Sequence, residues 1–431
     1  MAEEKEEKKP DQGYWAYVWR QFKKNKTAVV SLYVVIFLVL IAIFAPFLAN
    51  EKPLICKYHG ETYFPVVKDV AVGFGIGQFK PEFQNVNWRK LDYDYVIFPP
   101  VPYLPMNQDN DNVHSKGPFD EQVIESKRWK HWFGTDELGR DVLAGMIHGT
   151  SIAMTVGIVS MAIASLIGII LGALAGFFGD DNFRISRVRL WGNFLFLYFA
   201  FFYAFGTRSY AITDALGQSI GGGVLQLLIS FLIFIAVMAL GNLLCYPLKK
   251  IGVLGKQVSV PFDLIISRSI EVLNSIPTLF LILLIIAIVR KPNLYVIMAI
   301  IGLTGWTGIA RFIRAELLRI RSLEYIEAAQ SLGYSNMRIL FRHAIPNSLS
   351  PVLISIAFGI ASAILTESTL SFLGLGPADT VTWGALLSYA RQIPQAWWLA
   401  IFPGFAIFIT VTVFNLIGEG LTDAMDPRLK Q

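Results

Sequence analysis

Long apolar runs alternate with polar breaks along the chain. Eight such runs stand out, at residues 27–49, 151–178, 190–206, 224–247, 261–289, 293–313, 348–372 and 397–418. Most reach the ~20 apolar residues that cross a bilayer core. Only structures that satisfy their own backbone hydrogen bonds survive there. The pattern therefore predicts an all-α integral membrane protein with about eight transmembrane helices. The first run is too long for the apolar region of a signal peptide, and no clear cleavage site follows it, so it reads as an uncleaved anchor.

The polar breaks set the expected topology. Residues 1–13 are charged and read as disordered. Residues 14–26, YWAYVWRQFKKNK, read as an interfacial segment whose Arg20, Lys23, Lys24 and Lys26 stay in the cytoplasm. Arg184, Arg187 and Arg189 follow the second run, Lys249, Lys250 and Lys256 follow the fourth, and Arg311, Arg314, Arg319 and Arg321 crowd the end of the sixth. Alternation then places both termini in the cytoplasm. The Arg290–Lys291 pair falls outside and breaks the charge rule.

The expected domains are a cytoplasmic segment 1–26, a first helix 27–49, an extracytoplasmic loop or domain 50–150, a second helix 151–181, an inserted helix pair 182–260 and a core 261–431. Residues 50–135 mix strand-like runs, prolines and turn residues, which suits a small β-rich external domain or a long wrapped loop. Asp136, Glu137, Arg140 and Asp141 would fold that region onto the end of the second helix. A Gly-rich turn at 221–223 would join the inserted pair.

Composition narrows the classes. Charged residues make up 16% of the 431, against about 25% in soluble proteins, and mean hydropathy is +0.51. The net charge of +5 resides beside apolar runs, not in an aromatic-and-basic module, so no nucleic-acid partner is expected. Cys56 and Cys245 fall on opposite sides of the membrane in this topology, and no metal-ligand spacing exists. There is no phosphate-binding loop, no G-x-S-x-G and no H-E-x-x-H. No catalytic residue, metal site or cofactor is expected in this chain. Gly157, Ala164, Gly168, Gly172 and Gly176 give the second run a small-residue face for close helix packing.

One polar segment, EAAQSLGYSNMRILFRHAIPN at 327–347, interrupts this lipid-oriented pattern. Leu323, Ile326, Ala329 and Leu332 recur at helical spacing, which predicts a short amphipathic helix. Gly333 allows a bend or a close backbone approach. A helix lying on lipid is the plain reading. Small Ala328 and Ala329 beside an acid favour instead a docking surface for a cytoplasmic protein.

The segment resembles the EAA loop of ABC importer permeases. Glu327, Ala328, Ala329 and Gly333 match its pattern, and Pro346 falls on the expected proline, while His343 replaces the usual isoleucine. FGTDELGRDVLAGMIHGTSIA (133–153), FDLIISRSIEVLNSIP (262–277), LTESTLSFLGLG (365–376) and FNLIGEGLTDAMDPRL (414–429) resemble the second, C-type permease of dipeptide and oligopeptide importers. ANEKPLICKYHGETYFP (49–65) is similar to the branch that takes oligopeptides and microcin C.

The resemblance implies a type I ABC importer core in a bacterial inner membrane. It implies a second homologous permease, two ABC ATPase subunits that bind ATP-Mg, and an extracytoplasmic substrate-binding protein. It implies too that the loop is the coupling helix. Relatives of this group also carry nickel. The inserted pair departs from the usual six-helix pattern.

Four further residues are candidates for pathway or gating roles. Glu367 lies inside a span and either meets substrate or is a buried carboxylate paired with Arg140 or Arg391. Arg268 and Glu271 share a helix face, which suits a local ion pair. Pro277 can kink its helix beside a cavity. The competing readings are an ion-coupled secondary transporter, which should show broken helices and inverted repeats, and a non-transporting membrane scaffold.

Overall fold

A computed structural model describes residues 14–83, 86–180, 183–218, 220–289, 293–377 and 379–425. The expectations for residues 1–13, for Arg290–Lys291 and for the tail from 426 lie outside the described residues. The chain begins with α1 (Tyr14–Phe22) and α2 (Lys26–Leu48), then β1 (Ile55–Tyr58), β2 (Glu61–Tyr63), α3 (Pro65–Gly73) and β3 (Tyr95–Ile97). It continues with α4 (Val142–Ala173), β4 (Arg184–Ser186), α5 (Arg187–Phe201), α6 (Ser209–Gln218), α7 (Ile220–Leu248), α8 (Gly252–Gly255) and β5 (Gln257–Ser259). The remainder is helical: α9 (Phe262–Ser275), α10 (Thr278–Val289), α11 (Leu294–Ile320), α12 (Glu324–Ser331), α13 (Asn336–Ile339), α14 (Ile345–Ser348), α15 (Ser350–Phe372), α16 (Trp383–Gln392) and α17 (Trp398–Met425).

Among the described residues, 7 helices are long and apolar enough to cross a membrane, and the bent pair α9–α10 would make an eighth if it counts as one span. The protein is thus an all-α integral membrane protein. Two compact units divide it: Met1–Ile43 with Gly145–Ala173 and Leu273–Gln431, and Phe44–Ala144 with Leu174–Val272.

The first unit is a helix bundle that packs through missing side chains. A Cβ added at Gly168 would lie 2.7 Å from Ile309 Cβ, and one at Gly172 would lie 2.6 Å from Ala310 O. From the other side, Gly302 faces Ile163 Cβ at 2.7 Å. Helices α4 and α11 therefore meet backbone to backbone, as the small-residue spacing predicts. Lipid tails are as apolar as leucine, so such packing and interhelical polar contacts hold a bundle together. Ser160 supplies one, donating its hydroxyl to Met298 O at 3.0 Å. Around them Val156, Ile282, Ile297, Met298 and Leu370 form a buried core. The basic segment 14–26 does more than lie at an interface: Val18 and Phe22 of α1 pack with Ala28 and Ala424, while Trp15 and Trp19 stay exposed.

In the second unit, β2–β1–β3 form a three-stranded antiparallel sheet. Phe83, Trp88 and Phe98 are buried beside it with Tyr58, Tyr63 and Tyr93 packed around them. Long irregular chain wraps this aromatic centre. His131 closes the wrap: its Nδ1 lies 2.7 Å from Asp141 Oδ2 and its Nε2 lies 3.1 Å from Asp109 Oδ2. Asp141 Oδ1 also accepts the Ala144 N–H at 2.6 Å and so caps α4. That cap starts the helix at Val142, earlier than the apolar run alone suggested. Arg140 Nε donates to Asp136 Oδ2 at 2.6 Å.

The inserted pair belongs to this unit too. Helices α5 and α6 pack along α7, and β4 pairs antiparallel with β5 where the segment begins and ends, Arg184 opposite Ser259. Cys245 is buried against Val188 O, and neither it nor Cys56 is bridged. The expected turn at 221–223 is instead the first turn of α7. A Cβ at Gly221 would lie 3.1 Å from Phe74 O, so a glycine admits the neighbouring backbone rather than bending its own.

Candidate functional site: the segment between α11 and α15

Helix α11 continues through Arg311, Arg314 and Arg319 to Ile320, after which the chain turns sharply into α12. Ile326 and Ala329 are buried, and Glu327 and Ala328 point outward. One face of a two-turn helix thus anchors the segment and leaves the opposite face free. Leu332, expected on the anchored face, is 75% exposed instead. The helix ends before the period can carry it inward.

The ending is a Schellman cap. Gly333 has φ +76°, its N–H donates to Gln330 O at 2.9 Å, and the Tyr334 N–H donates to Ala329 O at 3.2 Å. Those two bonds satisfy carbonyls the helix would otherwise orphan. The bend thus explains the glycine. The close approach does not, since nothing lies within 4 Å of a Cβ added there. Ser335 then caps α13 by accepting the Arg338 N–H at 3.4 Å. A π-helical turn, Leu340–Ala344, leads to Pro346 in the first turn of α14. Ile339, Leu340 and Ala344 are buried.

The outward surface has a definite chemistry. Glu327 carries an exposed carboxylate with no ion-pair partner among the described residues. Leu332, Tyr334, Met337 and Phe341 are exposed apolar side chains on the same short segment. Arg338 lies over the Tyr334 ring at 5.4 Å. Behind the segment is a cavity of about 990 Å³ reached by Glu316, Arg319, Tyr325, Pro346 and Asn347. Of the five residues the sequence pattern singled out, Glu327 and Ala328 face outward, Ala329 is buried, Gly333 makes the cap and Pro346 lies in the first turn of α14. The pattern missed Leu332 and Phe341 as surface residues, although their place around a helix-ending glycine was readable.

A second cavity of about 550 Å³ runs between α10, α11 and α15. Thr278, Thr304, Ser355, Ser362 and Thr366 bring hydroxyls to it, nothing lies within 4 Å of a Cβ added at Gly308 beside it, and among the described residues no charged side chain lines it. Glu367, the pathway candidate next to Thr366, does not reach this cavity. It is 1% exposed and accepts hydrogen bonds from Ser371 at 2.6 Å and Ser368 at 3.5 Å. Its partners are hydroxyls, not the expected guanidinium. Arg391 lies over the Phe372 ring at 5.4 Å. The partner one helical turn ahead, Ser371, was legible from spacing alone.

The other candidates separate. Arg268 Nη1 donates to Glu271 Oε2 at 2.5 Å, with both side chains more than half exposed. That is the local pair expected of an i, i+3 spacing, worth about 0.2–0.5 kcal/mol. Pro277 lies in the break between α9 and α10, which are bent by 86°. The kink expected there is a full break between two helices.

Glycine-packed spans, an uncharged hydroxyl-lined cleft and a capped elbow with an outward face suit a membrane transport permease. The chain belongs to the family of binding-protein-dependent transport system inner membrane components, whose pattern matches residues 251–431. Residues 13–63 match the N-terminal TM domain of oligopeptide transport permease C.

The chain is 28% identical over 414 residues to the inner membrane ABC transporter permease protein YejE of Escherichia coli K12, covering 95% of this chain and 96% of that one. It is 30% identical over 312 residues to the glutathione transport system permease protein GsiD of Pectobacterium atrosepticum, covering 72% and 77%. It is 26% identical over 427 residues to the dipeptide transport system permease protein DppC of Bacillus subtilis 168, covering 98% and 89%. The protein is therefore an ABC importer permease and a multi-pass inner membrane protein.

Proposed function

We propose that this chain forms half of the pathway of an ATP-driven importer of dipeptides and oligopeptides, and that residues 327–346 couple it to a separate ATPase subunit. The carrying observation is the elbow's outward face. An unpaired Glu327, small Ala328 and exposed Leu332, Met337 and Phe341 suit a protein groove better than solvent or lipid. A second homologous permease supplies the other half of the path. Two ABC ATPases, which hold ATP-Mg, dock one on each elbow. An extracytoplasmic binding protein delivers the peptide. Both termini and the elbow then lie in the cytoplasm, and lipid surrounds the exposed apolar helices.

The mechanism follows from the anchoring. Ile326, Ala329, Ile339 and Ala344 tie the elbow into the bundle, so a force on Glu327 or Phe341 moves the ends of α11 and α15 with it. ATP binding favours one arrangement of the pair through its different affinity for the two states. The cleft between α11 and α15 offers hydroxyls without charge. Such a lining hydrogen-bonds a peptide main chain and neither attracts nor repels charged side chains.

Cysteine pairs placed at position 328 and on the ATPase should crosslink. Glu327→Lys should weaken ATPase retention and uptake while membrane insertion stays normal. Normal uptake with normal ATPase retention would remove the coupling role. The break at Pro277 would also suit an ion-coupled secondary transporter, but membership of the ABC permease family argues against that reading. Uptake by the reconstituted complex tests the energy source: ATP without an ion gradient should drive it, and uptake driven by an ion gradient without ATP would overturn the proposal.

A further inference from the structure

The inserted helix pair carries a cation, Arg208, whose side-chain partners among the described residues are neutral. Arg208 follows the π-helical turn Phe202–Gly206 and precedes α6. Its Nε donates to Ser230 Oγ at 3.1 Å, and its Nη2 donates to Gln226 Oε1. Ser230 is fully buried. Both partners are neutral, and they fix the orientation of the guanidinium. An arginine presents five N–H donors, so most of the fork remains available.

The depth of this group follows from the two helices that carry it. Helix α7 ends at Leu248 beside Lys249 and Lys250, the basic end of the pair. At ~1.5 Å per residue Ser230 lies about 27 Å up α7 from there. On the other limb, Arg189 at the basic end and Arg208 are about 28 Å apart along a straight helix. A hydrocarbon core is about 30 Å thick. Both limbs place Arg208 where the hydrocarbon meets the headgroups of the leaflet opposite Lys249. Tyr203 and Tyr210, on either side of Arg208 in the chain, are exposed, and tyrosine is enriched at that level of a bilayer.

We propose that Arg208, oriented by Gln226 and Ser230, binds the phosphate of an anionic phospholipid in that leaflet. The insertion is thereby a lipid-binding module added to the permease. A guanidinium fork matches phosphate in a two-point contact, and the headgroup level supplies phosphate where a transmembrane carboxylate of another subunit would sit deeper. This inference does not rest on which solute the permease carries.

Native mass spectrometry of the full-length protein in mild detergent, with phosphatidylglycerol and phosphatidylcholine added in equal amounts, tests it. The wild type should retain phosphatidylglycerol preferentially. Arg208→Gln should lower that preference about five-fold, the effect of one basic side chain at a charged membrane surface. Gln226→Leu keeps the charge but frees its direction and should give an intermediate loss; it carries the test if Arg208→Gln does not fold. Equal retention of both lipids by the wild type would overturn the proposal. So would unchanged preference in Arg208→Gln, or in Gln226→Leu if that variant carries the test. So would loss from Arg208→Gln of a co-purifying small membrane protein with lipid retention intact.

Discussion

Gly333 permits a graded test of why the elbow ends where it does. Its φ of +76° is left-handed, and the empty 4 Å around a would-be Cβ removes steric contact from the account. Any cost of substitution is therefore backbone cost. For alanine that is about 1–2 kcal/mol, with asparagine cheaper because its short polar side chain tolerates this region. Valine, β-branched, costs more still.

About 1.4 kcal/mol is a tenfold shift between the capped and frayed forms. Fraying releases the Gln330 and Ala329 carbonyls and loosens the turn that presents Glu327. ATP-driven uptake by the reconstituted complex, with hydrogen exchange over residues 327–334, should rank glycine above asparagine, asparagine above alanine and alanine above valine. Asparagine is larger than alanine, so a ranking by volume reverses the middle pair. That reversal would show that a partner's surface, not the local backbone, selects glycine here.

Other outcomes follow from the same geometry. Gly172→Leu must push α4 from Ala310 O and Ile313, so it should destabilise the bundle by about 1–3 kcal/mol or more, read as a lower melting temperature in detergent. Glu367→Ala strands the hydroxyls of Ser371 and Ser368 and should cost about 1–3 kcal/mol of stability. It should leave the KM for peptide unchanged, whereas Thr366→Val, on the cleft, should alter KM. His131 should make the wrap of the second unit pH-dependent. Burial opposes its protonation, but hydrogen bonds and charge from Asp109 and Asp141 outweigh burial and raise its pKa above 6.5. The imidazolium thus stabilises fully below about 6.5, and that contribution is lost as pH climbs through the raised value. Asp109, held near 2 chiefly by the His131 hydrogen bond and despite burial, gives an acid limb as pH falls from its ordinary 3.8 toward about 2. Protection factors over residues 109–141 should fall as pH rises above about 6.5 and through the raised pKa of His131, and His131→Gln should abolish that fall; a flat profile in the wild type would sink the assignment.

Much of the membrane architecture was legible because hydropathy is a property of single residues summed over a run. The small face of α4 was legible for a similar reason, since glycine four apart has few other uses in a span. Readings that needed a neighbour failed. Three consecutive glycines at 221 read as a turn, yet Phe74 O, distant in sequence, accounts for the first. Leu332 obeyed the helical period but lay past the cap that stops it. Glu367 announced a buried acid without saying whether a guanidinium or two hydroxyls would meet it. The elbow itself was legible as a pattern, while the partner surface proposed to meet it is not.

The small ladder of Arg184 against Ser259 brings the two ends of the inserted segment side by side. A detour whose entrance and exit coincide can be gained or lost without moving any helix that lies on the main road. The same meeting point offers a natural place to graft a different hairpin, or a fluorescent reporter, into a permease while its transport path stays whole.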